Sequence, residues 1–162
     1  WRVVIHAPDV MLKRCSHARL SNGKRLYHNI NGGMMKKFTF GKNSLKRLNE
    51  LDPRLQELAH LMMSKQVMDF AVICGHRNES EQNAAFYKGK SKLKFPQSKH
   101  NSLPARAYDR VPFPIPLNAA GEWDAKSKKW DELAALEQQC AKELGIEIVN
   151  SIPWDRPHCE LK

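Results

Sequence analysis

No window of this sequence approaches 18 consecutive apolar residues, so nothing in it reads as a membrane-spanning helix. The N-terminal region is basic, yet it lacks the apolar run of about 7–15 residues that a Sec-type signal peptide needs. Cysteine is sparse as well. Cys15, Cys74, Cys140 and Cys159 lie far apart with no CxxC pair, which argues against a zinc knuckle and against a disulfide framework. Buried free thiols in a reducing compartment are the expectation that remains. Internal repeats and low-complexity tracts are absent, so solenoids and disordered linkers are set aside too.

Acidic residues are scarce in the first 33 positions, where Asp9 alone faces Arg2, Lys13, Arg14, Arg19, Lys24 and Arg25. What is present is ordinary for one soluble domain: 162 residues, 41% of them apolar and 27% charged. The net charge of +10 points to a polyanionic partner, whether nucleic acid, an acidic membrane face or an anionic cell-wall polymer. Residues 1–33 show no sustained period and end in "NGG" before "MMKKF". They read as a leader or basic arm outside the fold, with residues 34–162 forming a single catalytic domain.

Within that domain, residues 43–66 read as two helical pieces. Asp52 is placed to cap the second and Pro53 to open it, with Leu55, Leu58, Leu61 and Met62 forming a core stripe. "VMDFAVICG" (67–75) reads as a buried strand. Asn78 and Glu81 fit a capping box, and Gly89 fits a stop. Residues 90–104 form a polar loop, 105–111 alternate like a strand, and "PFPIP" (112–116) is expected to be irregular. The stretch 125–145 is the clearest helix, with Trp130, Leu133, Leu136, Cys140 and Leu144 on one face. Short strands follow at 146–149 and 158–161. Helices and strands mix without a βαβ repeat, so the fold class is α+β.

A catalytic zinc takes three protein ligands and keeps one position open. His100, Asp109 and His158 could supply them. In an extended "ARAYD", Asp109 shares a face with Ala107 while Tyr108 points the other way. Asp155, three residues before His158, could take a proton from an attacking water. A scattered His/Asp/His set also arises by chance, and a single histidine is more often structural than a ligand.

The pattern Ser98-Lys99-His100, then Ala107-Tyr108-Asp109, then Asp155-Arg156-Pro157-His158 resembles the zinc D,D-peptidases of the Hedgehog/D,D-peptidase fold. That group includes D-alanyl-D-alanine carboxypeptidases and the L-alanyl-D-glutamate endopeptidases used as phage endolysins. The resemblance runs from about Phe40 to the end. It implies a small antiparallel sheet with helices packed on it, zinc ligands at His100, Asp109 and His158, and a general base at Asp155. It also implies that Arg77 assists at the reacting carbonyl, and that Ser98 holds substrate carboxylate unless it merely caps its loop. Two departures stand out. His100 and Asp109 are separated by a longer loop containing Pro104, and Cys159 replaces the usual aromatic after the last histidine. Strand alternation places Cys159 on the face opposite His158.

The resulting expectation is a Zn2+-dependent peptidoglycan peptidase, a phage or prophage endolysin that cuts the L-alanyl-D-glutamate bond. It would be monomeric and made in the host cytoplasm, reaching the wall after a holin opens the membrane. D-alanyl-D-alanine carboxypeptidase is the alternative within the family. A basic nucleic-acid-binding protein is the alternative from another class, although no helix-turn-helix, zinc finger or aromatic-interleaved RNA motif is present.

Overall fold

The computed structural model describes residues 37–150 and 152–162, together with the backbone of two short antiparallel strands, β1 (Ala18–Arg19) and β2 (Arg25–Leu26). The chain divides into two units, Trp1–Lys37 and Phe38–Lys162. Apart from those two strands, the reading of residues 1–33 as a leader or arm falls outside the described residues.

The larger unit opens with α1 (Lys42–Leu48) and α2 (Pro53–Ser64). Asp52 accepts a hydrogen bond from the Arg54 backbone N–H and Pro53 fills the first helical position, as its residue types dictate. Strand β3 (Asp69–Cys74) leads into α3 (Glu79–Tyr87), which Asn78 and Glu81 start with a reciprocal capping box. A single 3-10 turn, Lys99–Asn101, interrupts the polar loop before β4 (Ala107–Phe113). Ser127 caps α4 (Lys128–Leu144), and Gly145 ends it with φ of 68° in the left-handed region. Two short strands, β5 (Ile148–Val149) and β6 (His158–Leu161), complete the chain.

The four strands form one antiparallel sheet in the order β3-β4-β6-β5. This is the expected α+β architecture with a small antiparallel sheet. Leu55, Leu58, Met62, Phe70, Val72, Tyr108, Leu133, Cys140, Cys159 and Leu161 make the core. Strand alternation therefore sends Tyr108, Cys159 and Leu161 inward and leaves Asp109, His158 and Glu160 on the other face.

One expectation needs correcting. Residues 112–116 were not all irregular, because β4 continues through Pro112 opposite Phe70. The Arg110 backbone N–H points away from β3 toward Pro157, and the position two residues on points the same way. Strand β6 begins only at His158, opposite Asp109, so no ladder bond is demanded of Pro112 on that side.

A buried polar network ties the layers together. Glu137, on the apolar face of α4, accepts from Tyr108 Oη and from Arg110 Nε (3.0 Å) and Nη2 (2.6 Å). Asn150 Nδ2 donates to the same carboxylate at 2.8 Å. Burial and the Glu137 charge together hold the Tyr108 hydroxyl well above its usual pKa.

Candidate metal centre

The ladder register sets up the site before any side chain is considered. Cys74 faces Asp109 across β3 and β4, and Asp109 faces His158 across β4 and β6. Paired residues in antiparallel strands share a face, so these three side chains stand in a row. The row depends on an irregularity between Val72 and Cys74, where Val72 pairs with Arg110 and Cys74 with Asp109. Without that bulge Cys74 would oppose Tyr108 and turn into the core.

His100 comes down onto this row from the 3-10 turn. Ser98 Oγ accepts from the His100 backbone N–H at 3.3 Å, and Asn101 Oδ1 returns a bond to the Ser98 N–H. The structure thus uses Ser98 as the cap of the turn that carries His100. The Arg77 N–H donates to the His100 carbonyl, and Asn101 Nδ2 donates to the Arg77 carbonyl, clamping the turn to the end of β3. Gly75 lets the segment between β3 and α3 pass close to the end of α1. A Cβ there would lie 2.7 Å from the Arg47 carbonyl oxygen.

Three donor atoms converge. His100 Nε2 lies 3.4 Å from Asp109 Oδ1, His158 Nδ1 lies 3.3 Å from that oxygen, and the two ring nitrogens are 3.3 Å apart. Tetrahedral zinc with ligands at about 2.0–2.1 Å separates neighbouring donors by about 3.3 Å, so the triangle fits such an ion. The back of each ring is also fixed. His100 Nδ1 donates to the Gly75 carbonyl at 2.7 Å, and His158 Nε2 sits 3.1 Å from Glu160 Oε2. Both remaining ring nitrogens consequently aim lone pairs at the centre, beside a carboxylate.

Three electron-rich atoms at this spacing require a cation between them. With only protons available, His100 takes that part. Burial opposes its charge, but the hydrogen bonds to Asp109 and Cys74 raise its pKa to about 9. Asp109 is pulled far the other way: burial resists ionisation, yet the bonds from His100 and His158 and the Arg77 charge keep it a carboxylate.

Around the triangle, Arg77 pairs with Asp109 Oδ2 through Nη2 and donates from Nε to Cys74 Sγ at 3.1 Å. Lys99 Nζ holds Glu160 at 3.0 Å. Asp155 is half-buried at the edge of the cluster. Its backbone N–H donates to Ile152, and its carbonyl accepts from His158 N–H at 3.2 Å, so one tight turn carries both side chains. Burial raises the Asp155 pKa, and the neighbouring Asp109 charge adds to the rise.

The structure therefore brings His100, Asp109, His158, Asp155 and Arg77 to one place and assigns Ser98 to the turn. Cys159 is fully buried on the opposite face, as strand alternation implied. Cys74 is the residue the sequence concealed. It was grouped with inert buried thiols, but it forms a second possible metal-holding group with His100 and Asp109, their donor atoms within 4.8 Å of one another. Glu160 was also passed over, although an acid two residues after His158 on a strand was the available signal.

Comparison with known proteins places the chain in a family. The family model described as phage L-alanyl-D-glutamate peptidase matches residues 35–160. An L-alanyl-D-glutamate peptidase of Escherichia phage T5 is 32% identical over 128 residues, spanning 77% of this chain and 90% of the relative. The crystal structure of the L-Ala D-Glu endopeptidase ChiX of Serratia marcescens is similar in fold. Its TM-score is 0.59 at 23% identity, over 76% of this chain and 90% of that one.

Proposed function

This chain belongs to the phage L-alanyl-D-glutamate peptidase family, and from that membership we propose that it is an endolysin that hydrolyses the L-alanyl-D-glutamate bond of peptidoglycan stem peptides. The observation that carries the reading is the triangle of His100, Asp109 and His158, whose donor atoms match a zinc site with a position left over for solvent. His100, Asp109 and His158 would hold the zinc, which when bound would supply Lewis-acid chemistry toward a water and the scissile carbonyl.

The chain's own residues supply the rest. Asp155 accepts the proton of the attacking water and passes it to the departing amine of D-glutamate. Its raised pKa brings it nearer the pH at which it must both take and release a proton. Arg77 fixes Asp109 by its outer oxygen, so that the inner oxygen faces the histidines, and it keeps a positive charge beside the carbonyl where oxyanion character develops. Glu160 and Lys99 hold the tautomer of His158. Ser98 secures the His100 turn, and we keep contact with a substrate carboxylate as its second proposed role.

Among the described residues no helix is long and apolar enough to cross a membrane. In this reading the enzyme acts as a monomer, accumulates in the host cytoplasm and meets the wall once a holin has opened the membrane. Digestion of purified peptidoglycan, followed by mass analysis, tests the bond. Peptides beginning with D-glutamate are expected. Release of D-alanine alone would replace the reading with D-alanyl-D-alanine carboxypeptidase.

A further inference from the structure

Two donor groups overlap in this site, sharing His100 and Asp109 and differing in His158 or Cys74. The bulge in β3 is what turns Cys74 toward them. Its sulfur already lies within 4.8 Å of the His100 and Asp109 donors. Tetrahedral coordination with Zn–S of about 2.3 Å and Zn–N of about 2.0 Å separates sulfur from nitrogen by about 3.5 Å, so toward the His100 and Asp109 donors the thiol has to close by on the order of 1 Å. Cys74 is also reachable. A groove of about 590 Å³ runs along it, lined by Lys46, Arg47, His76 and Arg77 among others.

We propose, building on the metal centre assigned above, that Cys74 is a conditional fourth donor: zinc keeps the open three-donor form, whereas a divalent cation softer than zinc recruits the Cys74 sulfur beside His100, Asp109 and His158 and closes the site. On coordination the S–H proton passes to solvent and the thiolate fills the position otherwise left to water. Three-donor sites are open and catalytic, whereas four-donor sites are closed and structural. The competing claim on the sulfur comes from Arg77, whose Nε donates to it. Zinc, or a harder ion that prefers oxygen and nitrogen, leaves the sulfur with Arg77, and an ion softer than zinc takes it away. The site thereby sorts cations into an open and a closed form.

The test uses the full chain after dialysis against EDTA, titrated separately with Cd2+ and Mn2+. Stoichiometry is read by equilibrium dialysis and sulfur ligation by the ultraviolet sulfur-to-cadmium charge-transfer band. Wild type should bind one Cd2+ with the band. Cys74→Ser and Cys74→Ala should lose the band and weaken Cd2+ binding at least as much as loss of an outer-shell partner does, roughly 10–100-fold, with Mn2+ binding unchanged. Thermal melting of both variants checks that each is folded. A band that persists in both variants, or Cd2+ bound by wild type without one, overturns the role of Cys74 and leaves the three-donor centre standing. Failure of wild type to bind either ion overturns the centre itself.

Discussion

Replacing single side chains separates the roles assigned here. His100→Ala removes a donor whose ring is 1% exposed and should abolish both zinc retention and hydrolysis. Asp155→Ala should retain the metal while kcat falls by about 100- to 10,000-fold, the usual yield of a positioned acid–base group. Metal analysis beside a turnover assay distinguishes the two, and retained hydrolysis in Asp155→Ala would remove the base assignment. Glu160→Gln tests the support of His158: zinc affinity should drop by roughly 10–100-fold, read by competition with a chelator. At this scale the sequence disclosed much. The two histidines, Asp109 and Asp155 sit in recognisable motifs, and the structure brings their side chains together. Cys74 stayed hidden because its direction is decided by a bulge, and a lone strand sequence carries no register.

The elements were legible where local chemistry sets them. Asp52 with Pro53, the Asn78–Glu81 box and Gly145 each mark a boundary that the structure keeps. Pro112 misled because its tolerance depends on where β6 starts, a tertiary fact. Glu137 was likewise overlooked, although a charge inside the apolar stripe of α4 was a visible irregularity. It compensates a fully buried guanidinium, as Arg110 and Glu137 are 1% and 0% exposed. Glu137→Ala leaves that charge without its partner and should cost about 3–5 kcal/mol in denaturant unfolding. Restoring an apolar pair at both positions should recover much of the loss.

For the whole molecule, pH and salt are the informative variables. The folded-state pKa of His100, raised from 6.5 to about 9 in metal-free protein, contributes stability in full below about pH 6.5. That contribution is lost as pH rises through about 9. Asp109 behaves oppositely: its depressed pKa contributes above about pH 4 and fades on acidification. Thermal melting of EDTA-treated protein should therefore decline on both sides of a mildly acidic plateau. Saturating zinc should lift the alkaline side most, since coordination needs the neutral ring. A flat profile from pH 6 to 10 would contradict the coupling. The charge of +10 makes a second prediction, concerning approach to an anionic wall. Lysis of cell walls should slow between about 0.01 and 0.15 M salt, as screening shortens from about 30 to about 8 Å, with hydrolysis of a small soluble stem peptide little affected.

Arg110 fastens more than a helix. Its Nη1 donates to the Arg156 carbonyl at 2.8 Å, its Nη2 reaches the Asn150 carbonyl, and its backbone N–H holds Pro157. Both feet of the loop bearing Asp155 are thus bolted to the interior, whereas Pro153 and Trp154 at its crest carry none of those bonds and face outward. Substitution of Pro153 or Trp154 should therefore leave the Asp155 carboxylate seated.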